Sequence, residues 1–284
     1  MGDFSGSLVA IVTPFQGGEV DRAAFAELVE WQIDEGTRGI VVGGTTGESA
    51  TLHVEEREAL TRSSLEIAGD RCPVIVGTGT NDTRTSVELS RAAVEWGAAG
   101  LLVVTPYYNK PTQTGLEAHF RAVAEAAAGC PVILYDVPGR TGVTIEEGTL
   151  HRLAEIEGIV ALKDATHDIE RVSRLAADTS LTILSGDDAQ TLPMMANGAA
   201  GVISVAANVV PAQMARLCAT QDHDLHASLV TLFTALFCQT NPIPLKFALA
   251  EMGRIRNELR LPLTPLDAPH HETVRDALRH AGVL

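Results

Sequence analysis

Amine side chains are scarce in this chain. Lys and Arg together number 21, and only three of them are Lys, at positions 110, 163 and 246. Arginine therefore serves wherever a solvated positive charge is enough, and each lysine asks for a reason. Lys163 directly follows the apolar run Ile159-Val-Ala-Leu162, so its stem leaves a buried strand rather than entering free solvent. A guanidinium stays protonated and cannot attack a carbonyl. A desolvated amine near another cation gives up its proton more readily and can form a Schiff base. The structural alternative is an ion pair with Asp164 or Asp187, but position and rarity favour amine chemistry.

The three tyrosines, Tyr107, Tyr108 and Tyr135, also follow apolar runs. A carbinolamine needs a proton donor to expel water, and a phenol supplies one. Tyr135, closest in sequence to the lysine-bearing run, is the expected general acid/base, with Thr45 or Tyr108 completing a relay. Packing at a rim would be the simpler use of such rings. Arg140, in a Pro-Gly-Arg loop, suits a bidentate carboxylate clamp. The Gly-rich Thr45-Thr46 turn offers N–H groups and hydroxyls to a second carboxylate, or is simply a tight turn before a helix with Glu55 and Glu56 in its first turn. Two anion holders beside one amine suggest a small keto acid and an acidic second substrate. Asp187 and Asp188 have no third ligand nearby, and the nine histidines show no HExxH-like spacing, so no metal is expected.

Elements that would carry these residues recur at regular intervals. Eight Val/Ile/Leu-rich runs begin at residues 8, 40, 74, 101, 132, 159, 181 and 201, and helix-period segments such as 22–35, 55–68 and 85–96 fill the gaps. Each unit is one strand plus one helix long, and runs apolar at nearly every position suit parallel strands buried on both faces. The expected fold is an α/β (β/α)8 TIM barrel over residues 1–208, with the site at the C-terminal strand ends. A C-terminal helical extension, residues 209–284, packs on it as part of one functional unit, with helices expected over 222–237, 243–258 and 271–281. A doubly wound sheet is disfavoured because Gly77-Thr-Gly79 is not completed to GxGxxG, and the turn at 43–47 lacks the GK[ST] of a P-loop.

Composition narrows the partners. With 36 Asp and Glu against 21 cations the net charge is −15, the wrong sign for phosphate backbones, so nucleic acid is excluded. No apolar stretch approaches the roughly 20 residues of a membrane span. Four scattered cysteines without metal-ligand spacing fit a reducing, cytoplasmic setting.

Five motifs stand out along the chain: Gly44-Thr-Thr-Gly-Glu-Ser49, Tyr135-Asp-Val-Pro-Gly-Arg-Thr-Gly142, Leu162-Lys-Asp-Ala-Thr166, Leu184-Ser-Gly-Asp-Asp188 and Gly201-Val-Ile-Ser-Val205. In these motifs the chain resembles the dihydrodipicolinate synthase branch of the pyruvate-dependent class I aldolase/lyase family. Thr105-Pro-Tyr-Tyr-Asn-Lys-Pro111, Arg140 and Asn241-Pro-Ile-Pro-Leu-Lys246 point to the synthase branch rather than to sibling lyases of 2-keto-3-deoxy sugar acids or N-acetylneuraminate. A non-catalytic barrel that binds pyruvate or an amino acid is the reading from another class.

The resemblance implies a lyase in lysine and diaminopimelate biosynthesis that joins pyruvate to L-aspartate 4-semialdehyde and cyclises the product. Lys163 would form the Schiff base, and Tyr135, Thr45 and Tyr108 the proton relay, with Tyr108 supplied across a tight dimer interface. Thr46, Gly186 and the main chain at Ile203 would line the pyruvate site, and Arg140 would hold the semialdehyde carboxylate. No organic cofactor or metal is implied, and the assembly would be a homotetramer of two tight dimers. Ser49, Ala50, Asn81 and Tyr107 match an allosteric lysine site, but Val54, Arg57 and Thr85 replace the histidines and glutamate of inhibited members. That departure points away from feedback inhibition. Asp136 replaces an asparagine of the motif and is expected to add a carboxylate near the site. Lys246 has no role that sequence supplies beyond packing or an interface.

Overall fold

Eight parallel strands pair in chain order, and the last returns to the first. The computed structural model describes residues 4–284. The strands are β1 (Gly6–Ala10), β2 (Gly39–Val42), β3 (Val74–Gly77), β4 (Gly100–Val104), β5 (Val132–Asp136), β6 (Ile159–Asp164), β7 (Thr182–Ser185) and β8 (Gly201–Ser204). Closure sets Leu8 opposite both Ile203 of β8 and Gly39 of β2, which makes a closed (β/α)8 barrel. Asn208 locks the seam: its Oδ1 accepts from Val12 N–H at 3.1 Å, and its Nδ2 donates to the Ala10 carbonyl at 2.8 Å. A short antiparallel pair, Phe15–Gln16 with Glu19–Val20, follows β1.

Helices α1 (Arg22–Asp34), α2 (Val54–Ala68), α3 (Thr83–Trp96), α4 (Gln113–Ala126), α5 (Glu147–Ala154), α6 (Ile169–Asp178), α7 (Thr191–Met195) and α8 (Pro211–Thr220) alternate with the strands. Their starts are written locally. Asp21, Asp82, Thr112 and Asp168 each accept from the backbone N–H three residues on, which satisfies an orphan helical donor. In α2 the Glu56 carboxylate accepts from His53 N–H at 2.9 Å, with Glu55 also in the first turn.

Because side chains alternate along a strand, β-branched runs serve two cores at once. One set fills the barrel interior, including Leu8, Val41, Ile75, Ile133, Ala161, Leu184 and Ile203; the other meets the helices. Helix α8 packs on β1 and so completes the eighth unit, although it lies beyond residue 208. Three more helices follow: α9 (His223–Ala235), α10 (Ile243–Glu251) and α11 (His271–His280). They share one core with the first strands, with Leu232, Phe247 and Leu278 buried in the same cluster as Val9 and Phe25.

Helix α10 stops seven residues short of the expected Glu258. Gly253 takes φ +70°, a left-handed turn that ends the helix. The chain beyond it is used otherwise: the Glu258 carboxylate accepts from Gly17 N–H and Gly18 N–H, and its carbonyl accepts from Lys246 Nζ at 2.9 Å. Among the described residues no helix is long and apolar enough to cross a membrane.

Candidate active site

Residues at the C-terminal ends of β5 and β6 form the centre of the barrel mouth. Tyr135 and Lys163 are register partners on these strands, and Lys163 Nζ lies 4.2 Å from the Tyr135 ring centroid. Lys163 is only 5% exposed and has no carboxylate within 4 Å among the described residues. The two ion-pair alternatives are both spent elsewhere: Asp164 turns to the outer face, where Thr166 and Arg171 engage it, and Asp187 meets His167 at 3.5 Å. Burial lowers the Lys163 pKa to about 8; Arg140 pushes it the same way, and Asp188 opposes. Asp188 itself is held by Ser204 Oγ at 2.5 Å and by the Val205 and Ala206 N–H groups, and burial raises its pKa to about 6.

The phenol of Tyr135 moves the other way. Burial lifts its pKa to about 12, against the pull of Arg140 and of a hydrogen bond with Thr45. At neutral pH the site thus pairs an amine within reach of its free form with a phenol that keeps its proton. That is the combination needed to add to a carbonyl and then expel water.

Two adjoining cavities open here. The inner one, about 330 Å³, is lined by Lys163, Tyr135, Thr45, Thr46, Arg140 and Gly186 among others. An outer one, about 460 Å³, takes in Ser49, Ala50, Tyr107 and Tyr108, and the two share Thr45, Val137, Arg140 and Asn241. Gly186 forms a backbone wall: its N–H donates to the Asp164 carbonyl at 2.7 Å, and a Cβ there would sit 2.8 Å from Ala165 Cβ. The Thr45-Thr46 turn is clamped from behind. Arg57, buried, donates to the carbonyls of Gly43, Gly77 and Ser49, and a Cβ on Gly77 would collide with the Gly43 carbonyl.

Residues 3–281 match the family model described as the dihydrodipicolinate synthetase family. This chain belongs to that family. A 4-hydroxy-tetrahydrodipicolinate synthase of Thermodesulfovibrio yellowstonii is 46% identical over 99% of both chains, and one of Nitrosospira multiformis is 50% identical over 98% of this chain and 96% of its own. Among solved structures, the chloride-inhibited dihydrodipicolinate synthase of Acinetobacter baumannii complexed with pyruvate superposes with a TM-score of 0.96. It is 47% identical and covers 99% of each chain.

Within this member of the dihydrodipicolinate synthetase family, not every expected residue reaches the inner cavity. Tyr108 is 87% exposed with φ +74° and lines only the outer cavity, as does Tyr107. Ile203 is buried in the barrel interior, and Val205 rather than Ile203 lines the inner cavity. The Asn81 carbonyl accepts from Asn109 Nδ2 at 2.8 Å, outside the outer cavity's lining. Of the three departures, Val54 is exposed, Thr85 donates to the α3 cap Asp82, and Arg57 is consumed by the loop carbonyls.

Asp136 does not add a carboxylate to the site. The residue after an inward-facing Tyr135 must face outward, and there Asp136 accepts from Thr144, Ile145 N–H and Arg171 at 2.8 to 3.0 Å. No group of three or more His, Cys, Asp or Glu among the described residues is arranged to hold a metal ion.

Two contributors went unrecognised in the sequence. Lys246, 0% exposed, forms a buried ion pair with Glu48 and sits 4.1 Å over the Phe15 ring. Glu48, at φ +55°, ends the Thr45-Thr46 turn and also accepts from Arg260 N–H at 3.1 Å. Asn241 bridges the two anion holders, with Nδ2 donating to Thr46 Oγ1 at 3.0 Å and its carbonyl accepting from Arg140 at 3.1 Å. Both reach residues some two hundred positions away, so only their Pro-rich motif was visible.

Proposed function

We propose that this chain catalyses the Schiff-base condensation of pyruvate with L-aspartate 4-semialdehyde and the cyclisation that follows, as a lyase of lysine and diaminopimelate biosynthesis. The observation that carries the proposal is the buried Lys163 amine, without an ion-pair partner among the described residues and with its pKa lowered to about 8, against the protonated Tyr135.

Lys163 Nζ attacks C2 of pyruvate. Tyr135 delivers the proton with which the carbinolamine oxygen leaves as water, and its phenolate then takes a methyl proton of the iminium to give the enamine and restore the phenol. Its C3 adds to the aldehyde carbon, and the alkoxide takes a proton through Tyr135 and Thr45. The amino group of the second substrate then attacks C2 and displaces Nζ, which closes the ring and returns the free lysine. The positive nitrogen of the lysine adduct is itself the electron sink, so the reaction as written draws on no cofactor.

Thr46, Gly186 and the β8 end around Ile203 and Val205 are assigned to pyruvate, and Arg140, between both cavities, to the semialdehyde carboxylate. Tyr108, exposed beside the outer cavity, is assigned to the relay of a neighbouring copy, in a homotetramer of tight dimers. Barrel and C-terminal extension act as one unit, because they share one core. Four free cysteines suit action in the cytoplasm.

The test is turnover of pyruvate and aspartate semialdehyde followed with a coupled reductase, with and without L-lysine. Synthesis slower than retro-aldol cleavage of a 2-keto-3-deoxy sugar acid would overturn the assignment. Inhibition by millimolar lysine would overturn the reading of Val54, Arg57 and Thr85.

A further inference from the structure

The loop between α9 and α10 reaches from the C-terminal extension into the barrel mouth, and Asn241 is the residue it delivers. Asn241 is buried and lines both cavities. Its side-chain amide donates to Thr46 Oγ1 at 3.0 Å, its backbone carbonyl accepts from Arg140 Nη2 at 3.1 Å, and its Oδ1 is buried without a partner.

The direction of the first bond matters. A hydroxyl has one hydrogen to give. Because Thr46 Oγ1 accepts from Asn241, its own hydrogen is not drawn back into the protein, and no protein acceptor takes it among the described residues. It remains available to a carboxylate in the inner cavity. The second bond pins one arm of the Arg140 guanidinium and leaves the rest of the fork to a ligand.

We propose that Asn241 is a positioning residue that sets the hydrogen-bond polarity of Thr46 for the keto-acid carboxylate while anchoring Arg140 for the second substrate. The inference rests on the assignment of Thr46 to pyruvate made above. It gives the C-terminal extension a direct part in substrate recognition: the segment after α9 is a third wall of the site, and packing is not its only contribution.

A nearly isosteric variant, Asn241→Asp, separates hydrogen-bond polarity from the simple loss of packing in Asn241→Ala. In Asn241→Asp the carboxylate can only accept, so the Thr46 hydroxyl turns to it and its hydrogen is lost to the substrate, with a new negative charge nearby. In Asn241→Ala the Thr46 hydroxyl is merely released. Half-saturating pyruvate is read from borohydride trapping on Lys163 by intact mass, for the wild type, both variants, Thr46→Ala and the Asn241→Asp/Thr46→Ala pair, with folding checked by circular dichroism. Asn241→Asp is expected to raise half-saturating pyruvate about tenfold or more, as befits a hydrogen bond to a charged group. Asn241→Ala should raise it severalfold less, and the Asp effect should shrink by at least half when Thr46 is already Ala.

A wild-type response in Asn241→Asp would overturn the proposal, as would full additivity with Thr46→Ala or an Ala variant worse than the Asp one. If Asn241→Asp does not fold, Asn241→Ala decides, since unchanged half-saturation there also overturns it. Failure of the wild-type protein to trap pyruvate at all would instead bring down the reading beneath it.

Discussion

A protein built for amine chemistry should be more stable without its amine. Lys163 is buried with its pKa lowered from 10.5 to about 8, so the cost of burying its charge outweighs the opposing pull of Asp188. At pH 7 the lysine is charged in both the folded and unfolded chains, so folding carries the whole difference. Each pKa unit corresponds to 1.36 kcal/mol, which makes the penalty about 3 kcal/mol. Replacing Lys163 with Met keeps the volume and removes the charge, and should stabilise the fold by about 2 to 3 kcal/mol while abolishing turnover. For a chain of this size that is about 5 °C in melting temperature.

The sign also fixes the pH dependence. Between about pH 8 and 10.5 the unfolded chain holds a proton that the folded chain has released, so wild-type stability rises through that window and the advantage of Lys163→Met fades. Differential scanning fluorimetry of both proteins at pH 7, 9 and 10.5, with Lys163→Arg as a charged control, measures this. A Lys163→Met variant that is less stable at pH 7, or an advantage that grows with pH, would refute the reasoning.

Three further outcomes follow from the same geometry. The rate of borohydride trapping by pyruvate should rise about tenfold per pH unit below pH 8 and level off above it, because only the free amine attacks; a flat profile from pH 6 to 9 would contradict this. Tyr135→Phe should lower kcat by about 10²- to 10⁴-fold, the usual contribution of a positioned acid/base, with pyruvate binding less affected in steady-state kinetics. Lys246→Met strands the Glu48 carboxylate and should cost about 3 to 5 kcal/mol in urea unfolding, much of which Glu48→Gln in the same chain should restore.

The barrel was legible because its strands are written twice over, as continuous apolar runs and as a 20- to 34-residue period that leaves room for one helix each. Lys163 and Tyr135 were legible for a different reason: rarity, together with the rule that chemistry sits at strand ends. Side-chain direction was less so. Asp136 looked like an addition to the site because it adjoins Tyr135, yet strand alternation sends it to Arg171 on the outer face. The end of α10 at Gly253 depended on a backbone turn and on long-range capture of Glu258 by Gly17, Gly18 and Lys246, none of which local periodicity encodes. Lys246 and Asn241 gain their meaning only from partners such as Glu48 and Thr46 that the fold delivers from the other end of the chain. Tyr108 is the remaining case: its exposed side chain lies beside the outer cavity, and the relay role proposed for it depends on a second copy of the chain.

The central claim is that Lys163 is the electrophile-capturing amine. Incubation with pyruvate and sodium borohydride, followed by peptide mass mapping, tests it most directly. The account predicts one reduced pyruvate adduct per chain, on the peptide containing Lys163, and none in Lys163→Ala. An unmodified protein, or an adduct on Lys110 or Lys246 that persists in Lys163→Ala, would contradict it.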